Sequence, residues 1–285
     1  MILSILIAGV AVGSVYAMIG ICYNVMYSTS KVLSFTSGQL GMLGAVFGAW
    51  LIGDLQWPIW IGFPAAMLVG IVFSLLTEFI AVRPVLKNID QHLYVLSTLA
   101  LALMVQTAAA IWWGTEPRPF PTLVGLSPGG LAEKYWLPVL VCLLTMASVD
   151  MFYRRTLWGR AFTAISEDRD AALALGIPER RMRVVSYVIA GFVGALAGFV
   201  GGQLLFAFFA IGALLTFYGF IPIAIGGIGS NRGALVGGFT VGILQQIANY
   251  AVGGVFVGVV TFALFIVVLV LVPQGLFGTS VARRV

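Results

Sequence analysis

Charged residues divide this sequence into pieces of membrane-spanning length. No Asp, Glu, Lys or Arg occurs in 1–30, 32–53, 55–77, 93–115, 184–231 or 233–282. A hydrocarbon core roughly 30 Å thick takes about 20 apolar residues of helix to cross. The chain therefore reads as an all-α polytopic membrane protein. Its content of 61% hydrophobic and 9% charged residues, against roughly 25% charged in soluble domains, leaves no polar stretch long enough for a separate soluble domain. The expectation is one transmembrane domain over 1–285.

Spans are expected near 4–27, 35–53, 58–80, 93–113, 136–153, 184–205, 212–229, 234–252 and 255–272. The first is too long for a signal-peptide core of about 7 to 15 residues and has no basic residue ahead of it, so it is read as retained. Gly212, Gly219 and Pro222 could break the seventh span or make it re-entrant, which leaves eight or nine crossings. Cys22 and Cys142 both fall in spans and read as small packing residues.

Basic residues mark cytoplasmic loops. With the amino terminus outside and the carboxyl terminus inside, Lys31, Arg83, Lys87, Arg154, Arg155, Arg160, Arg169, Arg180, Arg181, Arg183, Arg232, Arg283 and Arg284 are cytoplasmic. Only Arg118 and Lys134 fall outside. The opposite orientation would put those 13 of 15 basic residues on the wrong face.

Glycine supplies 35 of 285 residues, about 12% against an average near 7%. Several stand four apart: Gly44 and Gly48, Gly194, Gly198 and Gly202, Gly238 and Gly242, Gly254 and Gly258. Such rows let helix backbones approach closely, a main source of association in lipid. They suit packing within one subunit or against a second.

A charge at the bilayer centre costs at least about 2.5 kcal/mol on insertion scales and usually marks an ion pathway. None is expected mid-span, since Glu78 and Asp150 lie near span ends and His92 in or beside a loop. Proton or sodium coupling is therefore disfavoured, although neutral oxygens alone can bind Na⁺. A P-loop needs glycines before Lys-Ser or Lys-Thr, and Lys31, Lys87 and Lys134 lack that setting. The stretch from Gly226 to Gly233, GGIGSNRG, reads as a tight turn anchored by Arg232. With one His and no Ser, His and acid set in the spans, an intramembrane hydrolase is poorly supported, so the chain reads as no enzyme.

The polar segment 154–183 is more structured than a linker. Gly159 to Ile165 suits a short helix with Phe162 and Ile165 on one face. Ser166 is a candidate cap for a second helix, with Glu167, Asp168 and Asp170 near its positive end, and Gly176 with Pro178 supplies the stop. The pair either caps the bundle or receives the push of an ATPase.

Six motifs in order carry a family resemblance. They are Gly13-Ser14-Val15-Tyr16-Ala17; Glu78 with Arg83-Pro84; Trp113-Gly114 with Pro117-Arg118-Pro119-Phe120-Pro121; Gly159-Arg160-Ala161 through Glu167-Asp168, Ala171-Ala172 and Gly176-Ile177; Gly226 to Ser230 with Gly237-Gly238; and Pro273-Gln274-Gly275-Leu276-Phe277-Gly278. Together they resemble the branched-chain amino acid type of ABC importer permease. The family commonly reads close to NFAHGE after the first span. This chain instead has Ser37 and Gln39 at the His and Glu places, and Val272 where the last motif often has Arg.

The resemblance implies a bundle of about 8–9 transmembrane helices with a cytoplasmic coupling-helix loop, in a bacterial inner membrane. It implies a second permease, two cytoplasmic ATPase subunits and a periplasmic solute-binding protein as partners, besides membrane lipid and without nucleic acid. No cofactor is expected in this chain, ATP and Mg²⁺ being bound by the ATPases. Arg160, Glu167, Asp168, Ala171 and Gly176 become ATPase-coupling candidates. Polar span residues, Asn24, Thr36, Ser37, Gln39, Thr98, Gln106, Gln245 and Asn249, become candidates for the route, each with an interhelical hydrogen bond as its plainer role. The implied cargo is a branched-chain or other small amphipathic amino acid or related solute. An ATP-independent channel, or a secondary carrier for a neutral solute such as urea or an amide, would share the uncharged spans, and a non-transporting structural subunit fits them too.

Overall fold

A computed structural model of the chain describes residues 2–86, 93–125, 132–254, 256–271 and 275–276. Lys87, His92, Val272, Pro273, Gln274, Phe277, Gly278, Arg283 and Arg284, invoked above, lie outside the described residues. The helices are α1 (Ile2–Ser30), α2 (Ser37–Gly48), α3 (Ile59–Leu76), α4 (Leu93–Trp113), α5 (Glu133–Arg155), α6 (Leu157–Glu167), α7 (Arg169–Ala174), α8 (Glu179–Leu205), α9 (Ile211–Gly226), α10 (Asn231–Val252) and α11 (Val257–Leu271). Two π-helical turns, Ala49–Asp54 and Thr77–Val82, continue α2 and α3 without a break.

Each expected span coincides with a helix, and α1, α3 with its π-helical turn, α4, α5, α8 and α10 are long and apolar enough to cross a membrane. Gly212, Gly219 and Pro222, where a break was expected, all lie inside one continuous helix, and the irregularity falls just before them. Residues 206–210 leave the helix, Ala207 pairs with Arg118 in an isolated bridge, and α9 then runs 16 residues with Pro222 inside it. At about 1.5 Å per residue that helix is shorter than the hydrocarbon core.

α1 forms the axis. From Ala11 to Met26 it is buried on every side, against α10, α8, α5 and α9. The glycine rows explain how so many helices fit around it. A Cβ on Gly13 would strike the Gly238 carbonyl and Phe239 Cα, and one on Gly242 would strike Gly9 and Gly13. Gly198 lies against the backbone of Gly41, and Gly44 against Ala195, so α2 and α8 also meet backbone to backbone. These rows pack within the subunit. Gly254 and Gly258 have only ordinary contacts.

Candidate functional site

Local chemistry builds the α6–α7 segment residue by residue. Thr156 Oγ1 accepts from the Gly159 N–H at 2.9 Å and opens α6. Gly159 is required there, because a side chain would collide with the α5 backbone at Phe152 and Tyr153. Phe162 and Ile165 turn inward and, with Ala172 and Met182, form a small apolar core under Phe152 and Tyr153. The cap of α7 is Asp168, whose Oδ1 accepts from the Ala171 N–H at 3.0 Å, while Ser166 Oγ donates back to Thr163 O. This corrects the assignment of the cap to Ser166: α6 runs on to Glu167, so the first free turn begins two residues later. Gly176, at φ 80°, closes α7, with its N–H on Leu173 O and that of Ile177 on Ala172 O, the pattern of a Schellman stop.

Arg160, Glu167 and Ala171 lie on the exposed side of this unit. Leu157 and Leu175, 79% and 81% exposed, stand beside them as a bare apolar rim. Lys31, just past the end of α1, donates to Ser166 O at 2.5 Å, and partial burial there lowers its pKa from the ordinary lysine value. The unit is thus tied to the central helix as well as to α5 and α8.

Near that end the chain turns between α1 and α2 inside the bundle, and neutral hydroxyls hold the turn. Thr98 Oγ1 accepts from the Phe35 N–H, Thr216 Oγ1 donates to Phe35 O, and Tyr23 donates to Thr216 O. Thr36 Oγ1 lies 2.8 Å from Ser34 Oγ, and Ser37 Oγ donates to Ser34 O. Gln39 Nε2 donates to Gln106 Oε1 at 3.4 Å, while Gln39 Oε1 is buried without a hydrogen-bond partner among the described residues. Asn24 is engaged at both ends of its amide by the α9–α10 turn: Nδ2 donates to Ser230 O and Oδ1 accepts from the Gly229 N–H.

At the opposite end of the bundle lies an open cavity of about 380 Å³. Ala8, Val12 and Tyr16 of α1 line it together with Lys134 and Tyr135 of α5 and Gln245, Gln246 and Asn249 of α10. Tyr16 donates to Gln245 Oε1 at 2.8 Å and stacks on Tyr218 at 5.2 Å between ring centroids. Of the polar residues expected along a route, Gln245 and Asn249 are together here. Thr36, Ser37, Gln39, Thr98 and Gln106 gather around the α1–α2 turn, and Asn24 stands apart from both groups.

A membrane bundle with an ordered two-helix segment at one end and an open polar cavity at the other has the parts of a permease. The family model for the permease component of branched-chain amino acid transport systems matches residues 5–269. The chain belongs to this family. It is 28% identical to the high-affinity branched-chain amino acid transport system permease protein LivH of Salmonella typhimurium, over 97% of this chain and 96% of that protein. It is likewise 28% identical to the corresponding permease protein BraD of Pseudomonas aeruginosa, over 98% and 97%. Among solved structures, PsaBC from Streptococcus pneumoniae in complex with Fab is similar with a TM-score of 0.52 at 14% identity, over 95% of this chain and 91% of that one. That likeness concerns the fold alone.

Two features of this family member were missed by sequence reasoning. Glu133 is buried, accepts from the N–H groups of Leu123, Val124 and Gly125 and from Gln203 Nε2, and so organises the loop before α5. Arg183, expected on the cytoplasmic side, is buried and donates from Nε to Glu78 Oε1 at 2.7 Å. Opposite charges near the ends of two spans were the available signal, and their separation of 105 positions hid the pairing.

Proposed function

We propose that this chain is the transport subunit of an ATP-driven importer and carries no enzymatic activity of its own. Two ATPase subunits with ATP and Mg²⁺ dock on α6–α7 through Arg160, Glu167, the apolar rim and the exposed backbone around Ala171 and Gly176. Asp168 contributes by capping α7. A solute-binding protein delivers cargo at the other end, into the cavity of Tyr16, Gln245, Gln246 and Asn249. A second permease closes the open side of that cavity. The chain sits in a bacterial inner membrane with its amino terminus outside and its carboxyl terminus in the cytoplasm.

The cavity carries this reading. Its amide and phenol groups hydrogen-bond the ammonium and carboxylate of a small amino acid, and Val12, Leu204 and Leu205 offer apolar surface to its side chain. The same lining accepts other small amphipathic solutes, including neutral amides. ATP-driven closure of the ATPases moves α6–α7 and switches access from one end of the bundle to the other. The turn at Ser34–Gln39, with the unpaired Gln39 oxygen, is the next polar station along the route.

The test is to extract the protein from its membrane in mild detergent, identify what accompanies it, and reconstitute the complex in vesicles. ATPase subunits and a second permease at stoichiometric yield, with uptake of leucine-type amino acids that requires both ATP and the binding protein, are expected. Uptake by the chain alone would establish a channel or carrier instead.

A further inference from the structure

α7 is linked to the membrane bundle by a chain of alternating charges. Arg169, the first residue of α7, donates from Nη2 to Glu179 Oε2 at 3.0 Å. Glu179 opens α8, and its other oxygen lies 3.5 Å from Arg183 Nη1, one turn further on. Arg183 reaches Glu78, in the π-helical turn of α3, at 2.7 Å. Exposure falls along the chain from 50% at Arg169 to 14% at Glu179, 7% at Arg183 and 5% at Glu78. The inner pair is thus taken almost wholly out of water.

Stability alone does not account for such a pair. The desolvation of two buried charges can exceed their attraction, and an apolar pair of similar volume is often as good or better. What the ion pair supplies is direction, because an Arg–carboxylate contact holds only in a narrow geometry. Further along, α3 and α8 are fastened to each other. Gly191 lies against the backbone of Gly70 and Ile71, and Ser74 Oγ donates to Tyr187 O at 2.6 Å. α8 and α3 are therefore held together on the membrane side of Glu179. Thr29 Oγ1 of α1 lies 2.5 Å from Ser186 Oγ, so α8 is hydrogen-bonded to the central helix as well.

We propose that Arg169, Glu179, Arg183 and Glu78 form the transmission by which displacement of α7 drives α8 and α3 together. These are positioning residues, each acting through its neighbour in the chain of ion pairs. The proposal rests on the importer reading above, in which α7 receives the stroke.

The test replaces the outermost link by a covalent one. In the assembled complex, the double variant Arg169→Cys with Glu179→Cys loses both the Arg169–Glu179 and the Glu179–Arg183 pair but leaves Glu78–Arg183 in place, positions 179 and 183 staying joined through one turn of α8. Cys22 and Cys142 are buried, away from the reagent. Solute taken up per ATP hydrolysed in vesicles is expected to fall about tenfold, with ATP hydrolysis near that of the unaltered complex. A short bismaleimide bridging the two cysteines is expected to restore most of the uptake, and a monofunctional maleimide none. An unmodified variant that couples normally, or a bridge that leaves uptake low, overturns the proposal. If the double variant does not retain its ATPases on purification, Glu179→Gln takes its place. The same loss of uptake per ATP is then expected, and an unchanged ratio overturns the proposal. The unaltered complex distinguishes the two levels: without ATP-driven uptake there, the importer reading fails, whereas normal uptake beside an indifferent variant removes the transmission alone.

Discussion

Single residues in this permease hold irregular backbone that the bundle cannot satisfy by itself. Glu133 is the clearest, with three backbone amides and the Gln203 side chain on its two oxygens. Glu133→Ala strands those donors, each costing about 1–3 kcal/mol if it stays buried. A lower melting temperature in detergent and faster hydrogen exchange at 123–125 are expected, and unchanged exchange there would show that water replaces the carboxylate. Asp168 is a second case, a charge that caps a helix before it can serve a partner. Ser and Asp are both strong caps and stand two residues apart in Ser166-Glu167-Asp168. The residue types around α7 were therefore legible in the sequence, but the choice between the two depended on where α6 stopped. Glu133 was not legible at all, because three of its four partners are backbone groups that carry no side-chain signature and the fourth, Gln203, is 70 positions away.

At the scale of elements, every span was legible because the hydrophobic requirement of the bilayer is written directly into the charge-free runs. What those runs could not give is the partner of each face. Glycines at four-residue spacing look alike in sequence, yet Gly198 meets the Gly41 backbone, whereas a Cβ at Gly258 would meet, among the described residues, only the Tyr218 hydroxyl at 3.8 Å. Gly198→Leu is accordingly expected to separate α2 from α8 and abolish a folded, monodisperse protein on size-exclusion chromatography. Gly258→Leu is expected to leave the elution profile unchanged, and equal damage from both would mean that α11 packs against something beyond this subunit. The π-helical turns of α2 and α3 were also hidden, since one extra residue in a hydrogen-bonded turn changes neither composition nor the apolar pattern. One of them carries Glu78 into the bundle interior.

For the whole molecule, the charge bias and the position of α6–α7 lead to the same proposed orientation. In intact cells with the outer barrier permeabilised, a membrane-impermeant maleimide is expected to label Glu116→Cys and to spare Arg232→Cys, which lies outside the proposed docking segment, each in a background free of reactive thiols. The reverse pattern would invert the protein and place α6–α7, the segment proposed to face the ATPases, on the wrong side. Both positions are exposed, so access and not burial decides the outcome.

The cavity at the far end from α6–α7 has an electrical consequence. Apart from Lys134, its lining is neutral, and that lysine is fixed in the protein. Moving one elementary charge through a membrane potential is worth about 2.3 kcal/mol per 100 mV, but a zwitterion carries no net charge through the field. On the proposed route the voltage across the membrane does no work on the cargo in either direction. Accumulation then depends on the hydrolysis stroke alone, and a cell whose membrane is depolarised loses nothing at this step.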